Sequence, residues 1–163
     1  VQSKVGKGTT FQVYLPAAVV VATENQSKIV SPLPSGRGEM VLVVDDEPTI
    51  REVIKATLES HDYKVLTAAD GTEAIAFFAQ HLSEIKAVIT DLAMPVMDGP
   101  STIRVLKKIN PRLPIILISG LPSEDQSVEY SPTKNEVDLF LRKPLTIEDL
   151  LNGLHSVLVE KIL

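Results

Sequence analysis

The sequence predicts an α/β fold, a three-layer (βα)5 doubly wound sheet of five parallel strands. Three observations carry that expectation. From residue 40 onward, short apolar runs alternate with helical stretches five times. The runs are rich in Val, Leu and Ile without a polar face, as in strands covered by helices on both sides. Most of them stop abruptly on an acid, a hydroxyl or a base, and parallel strands bring all such stops to one edge.

The first strand is MVLVVDDE at 40–47, bounded upstream by Gly36 and Gly38 and ending on Asp45, Asp46 and Glu47. Pro48 suits a first helical turn, and Ile50, Val53, Ile54 and Leu58 share a face of a helix running to about residue 60. Residues 63–68 alternate weakly as a second strand. Asp70-Gly71 turns into a helix with Ala74, Ile75 and Phe78 inward. Residues 87–90 form a third strand ending on Asp91. Met97-Asp98-Gly99 then breaks the chain before a helix marked by Ile103, Leu106 and Ile109, which Asn110 and Pro111 stop. Residues 114–118 give a fourth strand ending at Ser119-Gly120, and residues 139–141 a fifth ending at Arg142-Lys143-Pro144. Thr146 caps a last helix with Ile147, Leu150, Leu151, Leu154 and Leu158 on one face.

Composition narrows the functions. A chain of 163 residues, 44% hydrophobic, holds one ordinary domain plus an extension. Its 21 acidic against 16 basic residues give a net charge of -5, which argues against contact with a phosphate backbone, so no nucleic acid is expected as partner. The absence of cysteine excludes disulfides, thiolate metal sites and thiol nucleophiles, and a cytoplasmic setting is the plain expectation. No apolar run reaches the ~18 residues that span a bilayer. Lys4 and Lys7 before the run at 14–22 suggest a secretory leader only weakly, because Gln12 and Pro16 interrupt the pattern. The chain opens without Met, as a fragment would.

Upstream of the domain, residues 9–15 alternate as a half-buried strand, with Phe11, Val13 and Leu15 on one side. Residues 17–39 lose periodicity and gather Pro32, Pro34, Ser35, Gly36 and Gly38, the chemistry of a linker.

The strand ends form a constellation. Asp45 and Asp46, Asp91, Ser119 and Lys143 come from four strands to a common edge, and together describe a pocket of three carboxylates, a hydroxyl and an ammonium. Each residue alone is more simply a helix cap, a turn or a solvated charge. Clustered carboxylates repel unless a cation lies among them or they are simply spread in water. Mg2+ wants oxygen ligands and keeps waters, so Asp46 and Asp91 as direct ligands, with Asp45 acting through water, suit it. The set suits phosphoryl transfer: Asp91 can attack phosphorus, while Lys143 and Ser119 hold the phosphoryl oxygens.

Four spaced motifs carry a resemblance. VLVVDDE, the D-L-A-M-P-V-M-D-G string at 91–99, I-L-I-S-G ending at Gly120 and F-L-R-K-P ending at Pro144 resemble a response-regulator receiver domain of flavodoxin-like fold, over residues 40–163. The resemblance implies that Asp91 accepts phosphate from a phosphohistidine with Mg2+ as cofactor. It implies that Asp45 and Asp46 are the metal pair, that the Ala93 main-chain carbonyl is a further metal ligand, that Ser119 and Lys143 are the switch hydroxyl and the lysine, and that Phe140 is the switch aromatic. Ser3, Gly6, Gly8, Thr9, Thr10, Phe11, Leu15 and Pro16 resemble the last glycine box and closing strand of the ATP-binding domain of histidine kinases, S-x-x-G-x-G-T-x-F-x-x-x-L-P. Residues 1–16 as kinase remnant, 17–39 as linker and 40–163 as receiver imply the C-terminal end of a hybrid sensor histidine kinase. ATP binding by the remnant alone is not expected. The implied partners are a histidine kinase core, in cis or in trans, or a histidine phosphotransfer protein.

Two departures stand out. Pro122, Ser123, Ser127, Ser131, Pro132 and Asn135 predict a short or irregular fourth helix. Ala93 and Leu121, each two places beyond Asp91 and Ser119, are apolar where a water-orienting side chain would speed hydrolysis, so a slow-decaying phosphoryl group is expected. His61, His81 and His155 share no face, and His155 reads as an exposed helix residue rather than a phosphohistidine. Three other readings share parts of this pattern. A haloacid-dehalogenase-type phosphatase needs an acid at Ala93, and a flavin carrier needs phosphate donors where Asp45-Asp46-Glu47 stand. A receiver-like protein-binding module that is never phosphorylated survives as the alternative.

Overall fold

The structure, a computed structural model, describes residues 1–14, 33–120 and 136–159. The chain divides into two compact units, Val1–Ser31 and Pro32–Leu163. In the first, β1 (Gln2–Lys4) pairs antiparallel with β2 (Gly8–Thr10). Gly6 and Gly8, at φ of 73° and 92°, make the turn that lets so short a hairpin close. The alternating strand expected at 9–15 is therefore Gly8–Thr10 alone among the described residues, and its partner is its own upstream neighbour. Phe11 and Val13 are exposed, so they form no inward face.

The second unit contains the five parallel strands expected: β3 (Met40–Val44), β4 (Lys64–Ala68), β5 (Ile85–Asp91), β6 (Ile115–Ser119) and β7 (Leu139–Arg142). Their order across the sheet is β4-β3-β5-β6-β7. The described helices are α1 (Pro48–Glu59), α2 (Gly71–Gln80), α3 (Gly99–Ile109) and α4 (Ile147–Val159). The irregular helix expected between β6 and β7 falls outside the described residues, as do Leu121, Pro122, Pro132 and the end of the glycine-box string at Leu15 and Pro16.

Sheet alternation decides the layers. Leu42 and Val44 of β3 point to one face, packing with Ala74 and Phe78 of α2 and Ile103 and Leu106 of α3. Val41 and Val43 point to the other, against Ile54 and Leu58 of α1 and Leu151 and Leu154 of α4. Both faces of β3 are thus covered, which is why its sequence is apolar without a period. Val53, Ile109 and Ile147, expected inward, are 59%, 43% and 54% exposed. Each lies at the margin of its helix's apolar stripe, beyond the width that the sheet covers.

Side-chain caps open α2, α3 and α4, whereas α1 opens on Pro48 without one. Asp70 accepts from the amides of Thr72 and Glu73 at 2.7 and 3.0 Å, while Glu73 reaches back to the Ala69 amide at 2.7 Å. Asp98 accepts from the Ser101 amide at 2.8 Å. Thr146 and Asp149 cap α4 reciprocally, the Asp149 amide donating to Thr146 Oγ1 at 3.1 Å and that hydroxyl to the Asp149 carboxylate at 2.6 Å.

The compact unit begins ahead of Met40, so the last part of the expected linker is folded. The Gly36 and Gly38 amides donate to the carbonyls of His61 and Asp62 at 2.8 and 2.9 Å. Gly36 lies so close on the Tyr63 ring that an added Cβ would come within 2.6 Å of it. At this N-terminal edge of the sheet, Glu39 and Leu158 line one shallow cavity of about 550 Å3 with Ile85, Lys86, Arg112 and Leu113.

Asp138, just ahead of β7, joins that edge strand to β6 and α3. Its carboxylate accepts from the buried Ile115 amide at 2.8 Å and from Lys107 Nζ at 3.0 Å, the two charged side chains being only 22% and 13% exposed. Asp138→Ala is expected to lower unfolding stability by about 1–2 kcal/mol, the worth of a charge-assisted bond to a buried amide. Asp138→Asn, which keeps an acceptor for Ile115, costs less; urea unfolding of both variants checks the order.

Candidate functional site

Register builds the site. Val44 stands opposite Thr90, Asp91 opposite Ile118 and Ser119 opposite Arg142, so Asp45, Asp91, Ser119 and Lys143 all fall at the C-terminal edge of adjoining strands. The backbone bonds continue one step past the strands. Asp45 N–H donates to the Ala68 carbonyl at 3.3 Å, Leu92 N–H to Ile118 at 3.0 Å and Lys143 N–H to Ser119 at 2.9 Å. The candidate side chains are thus carried by the ladder rather than by free loops.

Asp45 and Asp91 are buried, at 3% and 8% exposure, on the two central strands. Lys143, from the edge strand's end, reaches both: its Nζ lies 2.7 Å from Asp91 Oδ1 and 3.6 Å from Asp45 Oδ2. The first is a hydrogen-bonded ion pair. The second is a charge contact too long for a hydrogen bond, and Asp45 Oδ2 is left buried without a hydrogen-bond partner. Asp45 Oδ1 accepts the Glu47 amide at 2.8 Å and Asp91 Oδ2 the Ala93 amide at 3.2 Å. Each carboxylate therefore has one oxygen fixed by a backbone turn and one turned toward the ammonium.

The electrostatics follow from burial. Desolvation pushes the Asp45 carboxyl above its ordinary range, against the opposing pull of the Glu47 amide and Lys143 and with added repulsion from Asp91 and Asp46. For Lys143, burial pulls downward, but the hydrogen bond and charge of Asp91, with Asp45 behind it, outweigh that and hold the ammonium above its ordinary value. Lys143 is consequently a fixed cation at neutral pH.

The other expected residues take outer positions. Asp46 and Ala93 are exposed at the rim, and Ser119 is half-buried at the end of β6. Phe140 is 51% exposed and shares a shallow cavity of about 320 Å3 with Arg142, Lys143, Pro144 and Asp149. Among the described residues, no three acidic or histidine side chains gather closely enough to cage a metal by themselves. The oxygen-only donors and the unpartnered Asp45 Oδ2 nonetheless suit a hard divalent cation that keeps waters of its own.

Two supports were not anticipated from the sequence. Gly99 N–H donates to the Leu92 carbonyl at 3.1 Å, and a Cβ on Gly99 would stand 2.3 Å from the Asp91 carbonyl oxygen, so only glycine lets α3 back onto the end of β5. Arg51, one turn into α1, donates from Nη1 to the Asp45 carbonyl. A basic residue so soon after three acids was the available signal for it. Between Asp91 and Gly99 the chain also holds Val96 at φ 67°, with Met97 N–H donating to the Pro95 carbonyl at 2.7 Å across it. A β-branched residue at the centre of such a γ-turn is strained.

Comparison with known proteins agrees with this geometry. The response regulator receiver domain family matches residues 41–155. Among curated proteins, the chain is 34% identical over 165 residues to sensor kinase CckA of Brucella abortus, a match covering 96% of this chain and 17% of that protein. It is 32% identical over 118 residues to response regulator MprA of a Mycobacterium species, covering 72% of this chain and 50% of that one. The chain thus spans about half or less of these relatives. Among solved structures, a receiver domain protein from Clostridium thermocellum is similar with a TM-score of 0.69 and 35% identity, covering 76% of this chain and 96% of that one. A CheY-like receiver domain protein from Methanospirillum hungatei gives 0.68 and 27%, covering 77% and 97%. On fold, on strand-end geometry and on a family match across most of its length, this chain belongs to the response regulator receiver domain family.

Proposed function

We propose that this chain is the phosphoacceptor of a two-component phosphorelay, taking a phosphoryl group from a phosphohistidine onto Asp91, and that it is part of a hybrid sensor histidine kinase. The observation that carries the reading is Lys143 Nζ held 2.7 Å from Asp91 Oδ1 beside the unpartnered Asp45 Oδ2. A buried carboxylate with a fixed ammonium at its side is arranged to gain, not to shed, negative charge. An Asp91 carboxylate oxygen attacks phosphorus, the P–N bond breaks, and its electron pair returns to the donor's imidazole. Lys143 and the Ser119 hydroxyl hold the phosphoryl oxygens as the bond forms. Asp45, Asp46 and Asp91, with the Ala93 carbonyl, would hold Mg2+, which supplies charge neutralisation at the transferring group. Phe140 follows Ser119 as the switch aromatic; having no phenolic hydroxyl, it can signal only by packing.

The kinase context rests on extent. The family match begins at residue 41 and the MprA match covers 72% of the chain, whereas the CckA match covers 96% and so takes in residues ahead of the receiver. The glycine hairpin at the chain's start fits the kinase string read there. The partner is then a histidine kinase core in cis or in trans, or a histidine phosphotransfer protein, in the cytoplasm. Among the described residues no helix is long and apolar enough to cross a membrane.

Incubation with Mg2+ and acetyl phosphate, followed by intact mass measurement, should add one phosphoryl group to the native chain and none to Asp91→Asn. A native chain that stays unmodified would favour the alternative, a protein-binding module that is not phosphorylated. Ala93→Asn, which restores a polar side chain beside the phosphoryl group, should speed its decay by about tenfold, or ~1.4 kcal/mol of barrier; an unchanged decay rate would sink the expectation of a long-lived state. Asp45 gives a pH test. Its carboxyl is raised on folding, so it favours the folded state only while protonated, and that contribution is lost as pH rises from about 4 through the folded value. Asp45→Asn, which keeps the acceptor for the Glu47 amide, should therefore raise the Tm of the metal-free chain at neutral pH. The gain should shrink toward about pH 4, as thermal melts across that range would register.

A further inference from the structure

The turn that carries Asp45 is tied down at three points. Its amide closes onto the Ala68 carbonyl, its Oδ1 accepts the Glu47 amide, and its carbonyl accepts Arg51 Nη1. The first two bonds are made by the turn and its neighbouring strand. The third is made by a half-buried side chain whose own amide opens α1 by donating to the Glu47 carbonyl at 3.1 Å. Asp45 Oδ2, buried and without a hydrogen-bond partner, is in a position a carboxylate would leave if it could, because rotation toward water would rehydrate it. Lys143 at 3.6 Å draws it by charge, and the backbone of its turn sets the direction in which it points.

We propose that Arg51 is a positioning residue for the cation end of the site: its hydrogen bond to the Asp45 carbonyl locks the acidic turn so that Asp45 Oδ2 faces the pocket. The inference rests on the Mg2+ and phosphoacceptor reading above and adds a residue to it. Charge and position make opposite demands here. A guanidinium beside a cation site repels the cation, so if Arg51 acted by charge alone its removal would tighten Mg2+ binding. If it acts by holding the turn, its removal loosens Mg2+ binding, as loss of an outer partner does at other metal sites.

The experiment uses the full chain with Arg51→Ala, compared with the native protein in two measurements. Calorimetric titration with MgCl2 should show affinity weakened by about tenfold. Amide hydrogen exchange in the metal-free protein should show the Glu47 amide exchanging faster, while amides of β5 and β6 keep their protection and so report an intact fold. Equal or tighter Mg2+ binding by the variant, or unchanged exchange at Glu47, would overturn the assignment and leave the phosphoacceptor reading standing. A native chain that takes up no Mg2+ would remove that reading, and with it the role given to Arg51.

Discussion

Two carboxylates buried at the ends of adjacent central strands cannot stay charged together without a counter-charge, and Lys143 supplies it. This one constraint orders the rest of the C-terminal edge. It requires β7 to end level with β6, which the Ser119–Arg142 register provides, and it requires the edge strand to be held, which Asp138 does by bonding the Ile115 amide and Lys107. The ammonium does not cancel the cost of burial at Asp45, whose carboxyl stays raised. The site is thus held short of full neutralisation, with one oxygen unserved, and its stability is lower than an apolar edge would give.

The remaining supports act on the backbone rather than on charge. Gly99 allows α3 to lie against the Asp91 carbonyl, and Gly71 does the same where α2 meets α3, a Cβ there falling 1.9 Å from Thr102 Oγ1. Both helices begin at this edge, so close contact between their first turns fixes the loop from Asp91 to Gly99. Within that loop, strain at Val96 persists because the flanking turn and the α3 cap over-determine it.

Much of this was legible in the residues. The five strands could be read because the core favours Val, Leu and Ile runs, and the shared polar edge because four of those runs end on an acid, a hydroxyl or a base. Helix stripes were read too wide at Val53, Ile109 and Ile147, since periodicity tells which face turns inward but not how far the sheet extends beneath it. The strand expected at 9–15 failed for a related reason: alternation names a candidate strand, and a partner decides its length. Gly36 and Gly38 looked like linker because their composition is that of a turn, whereas the contact of Gly36 with the ring of Tyr63 and the bond from the Gly38 amide to the Asp62 carbonyl are tertiary facts. Arg51 and Gly99 act through backbone carbonyls, which a side-chain pattern marks only indirectly, as with a basic residue placed soon after three acids.

The cavity lined by both Glu39 and Leu158 places the chain's approach to β3 and the last turn of α4 side by side. Strands run away from that end and α4 returns to it, so both polypeptide connections meet the domain on the side remote from Asp91. A unit wired in this way can be spliced behind, ahead of or between other folded segments while the rim that carries Asp91 stays clear of the splice. Portability among differently assembled signalling chains follows from where the backbone comes in and goes out.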